Sequence, residues 1–370
     1  MATSNYSSDA IESRSTPGAG IGVFAKSPIE AQTTLYTTSD EYFSIIYRRY
    51  WKEVCAHCFN YDRGIDWKVK ANSIGVVFCT EECKAKYMDR LSPDLLVFLS
   101  NAEDYARRRK QVKPVPREEG EEDDDIIPDS RIIDQTWVDS QNTLVEVLHA
   151  ISRDKPSKSQ RKLISEVQAA GLRSYDDDSD TDIDSLKNLA SYLTTNILSP
   201  STVTRTLELS TTLEPFTLSR LLDQQVNQYL ALVSLLPPSL TKYALPTTAI
   251  AKILAVDRSN SFGIWSGSSD KSSSQSEERS ELLGSMLVPS LSRFNHSCTP
   301  TVSKHRYRRT WTFATMDVVN TDEEIFITYL GGDEKTLNVE DRRQRLLNGW
   351  GFVCGCTKCT AESTDSTQSD

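Results

Sequence analysis

The sequence has no long hydrophobic run. None of its apolar stretches approaches the roughly 18–20 residues that a membrane span requires. The first fifteen residues are polar and carry acids, without the charged-then-apolar order of a secretory signal or the basic, acid-poor composition of a transit peptide. A secreted or membrane-spanning protein is therefore not expected, and a reducing compartment, nucleus or cytoplasm, is. There is also no concentrated basic stripe, the densest cluster being Arg107-Arg108-Arg109-Lys110, which a solvated helix end explains adequately. Direct nucleic-acid binding is accordingly not expected, and neither is a membrane partner. No internal repeat is visible, which excludes a solenoid. Hydrophobic residues make up only 38%, so part of the chain is expected to lie outside any packed core.

What is present is length, acid and cysteine. At 370 residues the chain has room for two or three structural units, with a core that needs no disulfides. Its formal net charge is −10, from 42 basic and 52 acidic residues. That acidity is local. Residues 118–125 hold seven acids in eight positions and residues 176–184 hold six in nine, with no base in either window. Without these thirteen acids the net charge would be +3. Both windows read as solvated loops, dispensable for catalysis, because such acid-dense segments bury too little apolar area to order themselves.

The order of patterns suggests a strand-rich body whose halves are separated in sequence. Residues 14–50 carry a glycine-rich opening, Gly18-Ala19-Gly20-Ile21-Gly22, and then short β-like runs. Residues 51–90 hold four cysteines. Residues 91–257 read as a helical insertion with acidic loops. One helix face carries Leu144, Val145, Leu148 and Ile151, a second Leu186, Leu189, Leu193 and Ile197, and a third Leu218, Leu222, Val226, Tyr229, Leu230 and Val233. His149 is placed at a core or boundary position. Residues 258–332 return to strand-like runs, residues 333–362 hold further cysteines, and residues 266–280 are serine-rich and low in complexity.

The eight cysteines fall into two sets. Cys55-x2-Cys58 and Cys79-x3-Cys83 form one; Cys298 with Cys354-x-Cys356-x2-Cys359 forms the other. In a reducing compartment such spacings favour metal over disulfides. Zinc takes four thiolates in a tetrahedron, so each set makes a closed structural site with no open catalytic position. Two zinc ions are expected. Thr80, followed by Glu81, Glu82 and Cys83, reads as a helix N-cap that would present Cys83 from a first helical turn. His57 is read as a surface side chain.

Asn295-His296-Ser297-Cys298, a hairpin over residues 302–319, and Glu323-Glu324-Ile325-Phe326-Ile327-Thr328-Tyr329 resemble the C-terminal half of a SET domain. Cys354-x-Cys356-x2-Cys359 resembles its post-SET segment. Gly20-Ile21-Gly22-Val23-Phe24-Ala25 resembles the opening of the N-terminal half, and Asn260-Ser261-Phe262-Gly263-Ile264 a strand between the halves. The first cysteine set lies where SET-and-MYND methyltransferases carry their finger. The second pairs of a full MYND finger are missing, so this one is reduced and MYND-like. Ile21 replaces a usual polar residue, while Gln32 and Thr321-Asp322 stand where turn glycines are usual.

The resemblance implies an α+β fold: a split SET domain of small β-sheets with a pseudoknot, an inserted zinc finger, a helical insertion and a post-SET zinc loop. It implies S-adenosylmethionine as cofactor and, as acceptor, a protein lysine in a basic segment, of histone or non-histone origin, on a monomeric enzyme. Carried over residue by residue, Tyr329 is the catalytic tyrosine bordering the methyl-transfer pore. Gly20, Ile21, Gly22, Asn260, Asn295, His296, Tyr329 and Phe352 are the implied cofactor contacts. A catalytically inactive SET-fold adaptor is the alternative, favoured by Ile21 and the reduced finger.

Overall fold

The computed structural model describes residues 9–16, 18–39, 43–113, 128–173, 179–211, 219–266 and 281–366. Strands near the two ends of the chain build one body. β1 (Ile11–Thr16) and β2 (Gly20–Ala25) form a hairpin in the register Ser13↔Val23 and Thr16↔Gly20. β3 (Thr34–Thr38) pairs with β10 (Thr310–Thr315), whose other neighbour is β9 (Val302–Tyr307). β4 (Ser44–Ile46) pairs with β8 (Leu282–Met286), which also pairs with β7 (Phe262–Trp265). The approach of β4 to β8 requires a glycine. A Cβ on Gly284 would lie 2.0 Å from the Ile45 carbonyl oxygen.

Residues alternate along these strands as a half-buried sheet demands. On β10, Trp311, Phe313 and Thr315 are buried while Thr310, Thr312 and Ala314 are less so. Trp311 and Phe313 join Val23, Leu35, Phe294, Ile325 and Ile327 in one core. The segment 295–298 then runs beside residues 325–329. Ile327 N–H donates to Asn295 O at 3.0 Å, Ser297 N–H donates to Ile327 O at 3.0 Å, and His296 bridges Ile327 in parallel. Ile325 N–H donates to Val23 O at 2.7 Å, which ties this pair of segments to β2.

A second core is helical, between α2 (Pro93–Arg109), α3 (Ser130–Ile151), α4 (Lys158–Gly171), α5 (Ser179–Leu198), α6 (Pro200–Leu207), α7 (Ser219–Val233) and α8 (Thr247–Asn260). The starts of α2, α3 and α4 are fixed by side chains that accept from backbone N–H groups: Ser92, Asp129, and Ser157 in a capping box with Gln160. α3 buries Ile133, Trp137, Leu144, Val147 and Ala150. Val145, placed inward by the sequence pattern, is 55% exposed instead, because the helical period gives Val147 the inward position. His149 is exposed as well, paired with Arg153 Nη2 at 2.9 Å.

The reading of residues 176–184 as a solvated loop does not hold for the part described. Asp180, Asp182 and Asp184 lie at the start of α5, where a helix N-terminus favours acids. Asp180 pairs with the Arg48 guanidinium, and Asp184 Oδ1 accepts from the Arg48 N–H at 2.9 Å. Asp182 is buried against the buried Arg109 of α2, and its other oxygen accepts from Gln224 of α7. One acid therefore joins three helices. Positions 176–178, the acids at 118–125 and almost all of the serine-rich stretch at 266–280 lie outside the described residues.

Gln32 and Asp322 stand in the left-handed region, at φ +62° and +66°. Both are positions where the sequence comparison expected glycine, so the turns are kept without the residue that tolerates them best.

Candidate active site and metal centres

The first cysteine set sits on a small module inserted after β4. Val54-Cys55 leads into a turn in which Phe59 takes φ +61° and donates its N–H to Cys55 O at 2.9 Å. β5 (Val69–Ala71) and β6 (Val76–Phe78) form a hairpin that delivers Cys79, and α1 (Glu81–Met88) carries Cys83. Thr80 caps that helix, accepting from Cys83 N at 3.1 Å, as its sequence position predicts. The second set joins Cys298, from the segment beside Tyr329, to Cys354, Cys356 and Cys359, the last on α10 (Thr357–Ser366).

The four sulfurs of each set lie within 4.8 Å of one another. Individual separations are 3.7 Å for Cys58–Cys79, 3.6 Å for Cys79–Cys83 and 3.6 Å for Cys298–Cys359. Four thiolates around one zinc at about 2.3 Å would stand about 3.8 Å apart, so both sets fit. Their acid–base behaviour agrees. Hydrogen bonding from Cys58 pulls the Cys55 thiol down to about 4, whereas burial and then the Cys55 charge push Cys79 up to about 11. Clustered thiolates oppose one another in this way, and a bound dication would relieve that opposition. Each site also has a guanidinium beside it. Arg309 stacks 4.0 Å from the Phe59 ring centroid and donates to His57 O at 2.6 Å. Buried Arg342 donates to Cys359 Sγ at 3.5 Å and to Glu362 at 2.6 Å. His57 itself is half-buried, not a free surface side chain, and burial lowers its pKa. The two four-cysteine clusters are compatible with two zinc ions, and metal analysis of protein purified without chelator is expected to return two per chain. One or none would remove a cluster from the metal sites.

His296 joins the second cluster to Tyr329. Tyr329 N–H donates to His296 Nδ1 at 3.0 Å, so Nδ1 is the acceptor and the ring proton belongs on Nε2. That nitrogen lies 3.3 Å from Cys298 Sγ. Burial, with the charges of Lys304 and Arg342, lowers His296 to about 4, so the ring is neutral at physiological pH. The Tyr329 hydroxyl donates to Phe294 O at 2.9 Å. Burial and the charge of Glu324 raise its pKa, which keeps the phenol protonated. Trp350, at the end of α9 (Val339–Trp350), and Phe352 lie against the Tyr329 ring, with centroids 5.3 and 6.3 Å away; Phe352 is 6.2 Å from His296.

The other residues predicted from sequence meet this group along β2. A Cβ on Gly22 would lie 2.2 Å from Glu324 Oε1 and 2.7 Å from Thr16 Oγ1. Asn295 donates to that same Glu324 oxygen at 2.7 Å. A Cβ on Gly20, at φ +73°, would lie 2.7 Å from Ser210 Oγ. Asn260 donates from its amide to Ser210 O at 3.0 Å and to Val256 O at 2.9 Å, and its own carbonyl accepts from Ser292 at 2.9 Å. Ile21 is half-buried between the two glycines. Thr16 Oγ1 is buried without a hydrogen-bond partner among the described residues.

Sequence reading missed Glu324, Ser210, Thr16 and Trp350 in this neighbourhood. Glu324 carried a usable signal as the second acid of the pair before Ile325. Ser210 carried none, since it lies in the helical region and reaches Gly20 only through the fold.

Comparison with known proteins gives one family match, to the SET domain, over residues 20–330. A Saccharomyces cerevisiae protein named as a potential protein lysine methyltransferase, SET6, is 24% identical over 94% of both chains. A Danio rerio N-lysine methyltransferase, SMYD2-A, is 34% identical, but over only 24% of this chain and 20% of its own. A Dictyostelium discoideum SET and MYND domain-containing protein is 32% identical over 30% of this chain and 23% of its own. Among solved structures, the SET domain of LSMT, described as bound to lysine and AdoHcy, aligns over 95% of this chain and 54% of that one. Its identity is 13% and its TM-score 0.28, too low to position any residue here.

Proposed function

The chain belongs to the SET domain family, and from that premise we propose that it transfers a methyl group from S-adenosylmethionine to the side-chain amine of a lysine in a protein substrate. The observation that carries this reading is the junction of His296, Tyr329 and Phe352, drawn from three chain segments onto one zinc-type cluster. The relative matched over nearly its full length is named as a potential protein lysine methyltransferase, and nothing in the comparisons favours the inactive adaptor.

The residues fit the cofactor. β2 is bordered at Gly20 and Gly22 by polar oxygens, those of Ser210 and Glu324, which stand where a Cβ would be; Thr16 Oγ1 is buried beside Gly22 without a hydrogen-bond partner among the described residues, and Phe352 supplies a flat apolar face. When bound, S-adenosylmethionine supplies a methyl group already activated by a positive sulfur. This chain's residues must then bring in the amine, align it and manage its proton. Gly20, Ile21 and Gly22 would hold the cofactor through backbone, with Asn295 and Asn260 bracing that edge. His296 fixes the Tyr329 main chain, while the Phe294 carbonyl fixes the Tyr329 hydroxyl. A lysine of pKa ~10.4 needs about 4.6 kcal/mol to lose its proton at pH 7. An apolar approach walled by aromatic rings lowers that cost by penalising the ammonium.

The SET-and-MYND type is the finer form of this reading. Its support is the cysteine module lying between β4 and α2, together with the partial matches to proteins of that name. Substrates are then proteins presenting a lysine in a basic segment, histone or otherwise.

Tyr329→Phe tests the assignment. The ring packing survives, and the lost bond to Phe294 O costs about 1 kcal/mol of stability. The expected result is unchanged affinity for S-adenosylhomocysteine by calorimetry with single-turnover methylation slowed about a hundredfold, since a small misplacement of the amine has effects of that size. Equal affinity with unchanged rate and unchanged methyl number would reduce Tyr329 to packing.

A further inference from the structure

β9 turns two cations toward the body of the protein. Val302, Lys304 and Arg306 alternate inward, while Ser303, His305 and Tyr307 are exposed. The inward side of such a strand is ordinarily apolar. Arg306 is explained by the carbonyls of Arg308 and Trp265, to which it donates. Lys304 has a different setting. Its amine donates to Thr328 O at 2.6 Å, one residue before Tyr329, and lies 5.7 Å from the centroid of the Phe262 ring. Phe262 continues to Phe313 at 6.4 Å, and Phe313 to Phe294 at 5.2 Å. Phe294 O accepts from the Tyr329 hydroxyl. These contacts close a ring, from the Lys304 amine through three phenylalanines to both ends of Tyr329.

Among the described residues no carboxylate forms an ion pair with that amine. Glu334 acts on it from a distance, but its side chain accepts from the Thr328 hydroxyl at 2.8 Å and from Gly332 N–H at 3.0 Å. Lost solvation pulls the Lys304 amine down to about 8, so it is far richer in neutral form at physiological pH than a lysine in water. A primary amine on an aromatic wall beside Tyr329, partly deprotonated, has the properties of an acceptor.

We propose that Lys304 is itself a methyl acceptor of this site. This rests on the functional reading above and names an acceptor for it. The neutral Nζ attacks the sulfonium methyl, an N–C bond forms as the S–C bond breaks, and the bonding pair stays on sulfur as S-adenosylhomocysteine. The extra proton leaves Nζ for solvent. The transfer is intramolecular, so it needs no partner protein.

The test uses the full chain incubated with S-adenosylmethionine carrying a deuterated methyl, followed by peptide mass mapping. The expected result is label on Lys304 at a rate independent of protein concentration, lost in Lys304→Arg and strongly slowed in Tyr329→Phe. Calorimetry with S-adenosylhomocysteine should give the same affinity for wild type and Lys304→Arg. Ordinary methyl already on Lys304 of purified wild type, and absent from purified Tyr329→Phe, is the same result reached during expression. S-adenosylhomocysteine binding with neither deuterated nor ordinary methyl on Lys304 overturns this inference alone, whether or not other lysines or an added protein are labelled. Labelling whose rate rises with protein concentration overturns the intramolecular step. Failure to bind S-adenosylhomocysteine overturns the functional reading itself.

Discussion

Asp182→Ala is expected to destabilise the folded chain by about 3–5 kcal/mol. The reason is what the substitution leaves behind. Arg109 is 1% exposed and Asp182 7%, so both charges are removed from water. Their attraction offsets that desolvation only while they remain together. Without the carboxylate, the Arg109 guanidinium keeps a single described acceptor, the Val112 carbonyl at 3.3 Å, and Gln224 loses its own partner. Removing both charges should be far milder. Arg109→Met with Asp182→Leu fills similar volume with apolar atoms, and replacement of a buried pair in this way is often neutral. Urea midpoints for the single and double variants decide the matter. A double variant as unstable as Asp182→Ala, or an Asp182→Ala shift below about 1 kcal/mol, would mean the pair is not buried as described.

The same residue shows where sequence reading stops. Asp182 sits among acids that pattern alone assigns to solvent, and its partner lies 73 positions away on another helix. Only the packing of α2 against α5 makes that distance short. Lys304 is a similar case, since its meaning depends on the β9–β10 register that sets it opposite Phe313 and on residues 326–328 passing beside it. Ser210 meets Gly20 across a boundary that no local pattern marks. Helix stripes were legible at their centres but not at their edges. Leu144 is buried as read, yet its neighbour Val145 is not, because one residue of helical rotation, about 100°, carries a side chain off the buried face.

The cysteines were legible for the opposite reason. Metal ligands obey a count and a chemistry that survive ignorance of the fold, and Thr80 announced the helix that presents Cys83. The left-handed positions Gln32 and Asp322 were visible as departures from a glycine pattern. Turn geometry is dictated by the neighbouring strands, so the chain keeps the turn and bears the strain of a side chain there.

Cys356→Ser should have the largest effect on the site, although it touches no reacting atom. Structural zinc contributes on the order of 10 kcal/mol to the fold of its own ligands. Without a fourth thiolate the post-SET segment loses that constraint. Cys354 lies two residues from Phe352 and four from Trp350, the two rings that stand against Tyr329. On the other side, Cys298 faces His296 Nε2, and His296 Nδ1 holds the Tyr329 main chain. Loss of the metal therefore acts on Tyr329 from two directions: through the rings that cover it and through the imidazole that positions it. The expected result is one zinc per chain in place of two, and an S-adenosylhomocysteine affinity reduced tenfold or more, about 1.4 kcal/mol at least. Cys58→Ser is the control. It should also cost one zinc, but the module it belongs to packs around Ala71, Ile74 and Phe78, away from these rings, so affinity should stay near wild type. Cys356→Ser protein that loses its metal yet binds S-adenosylhomocysteine as wild type does would disconnect the second cluster from the cofactor, and the role given to Phe352 would fall with it.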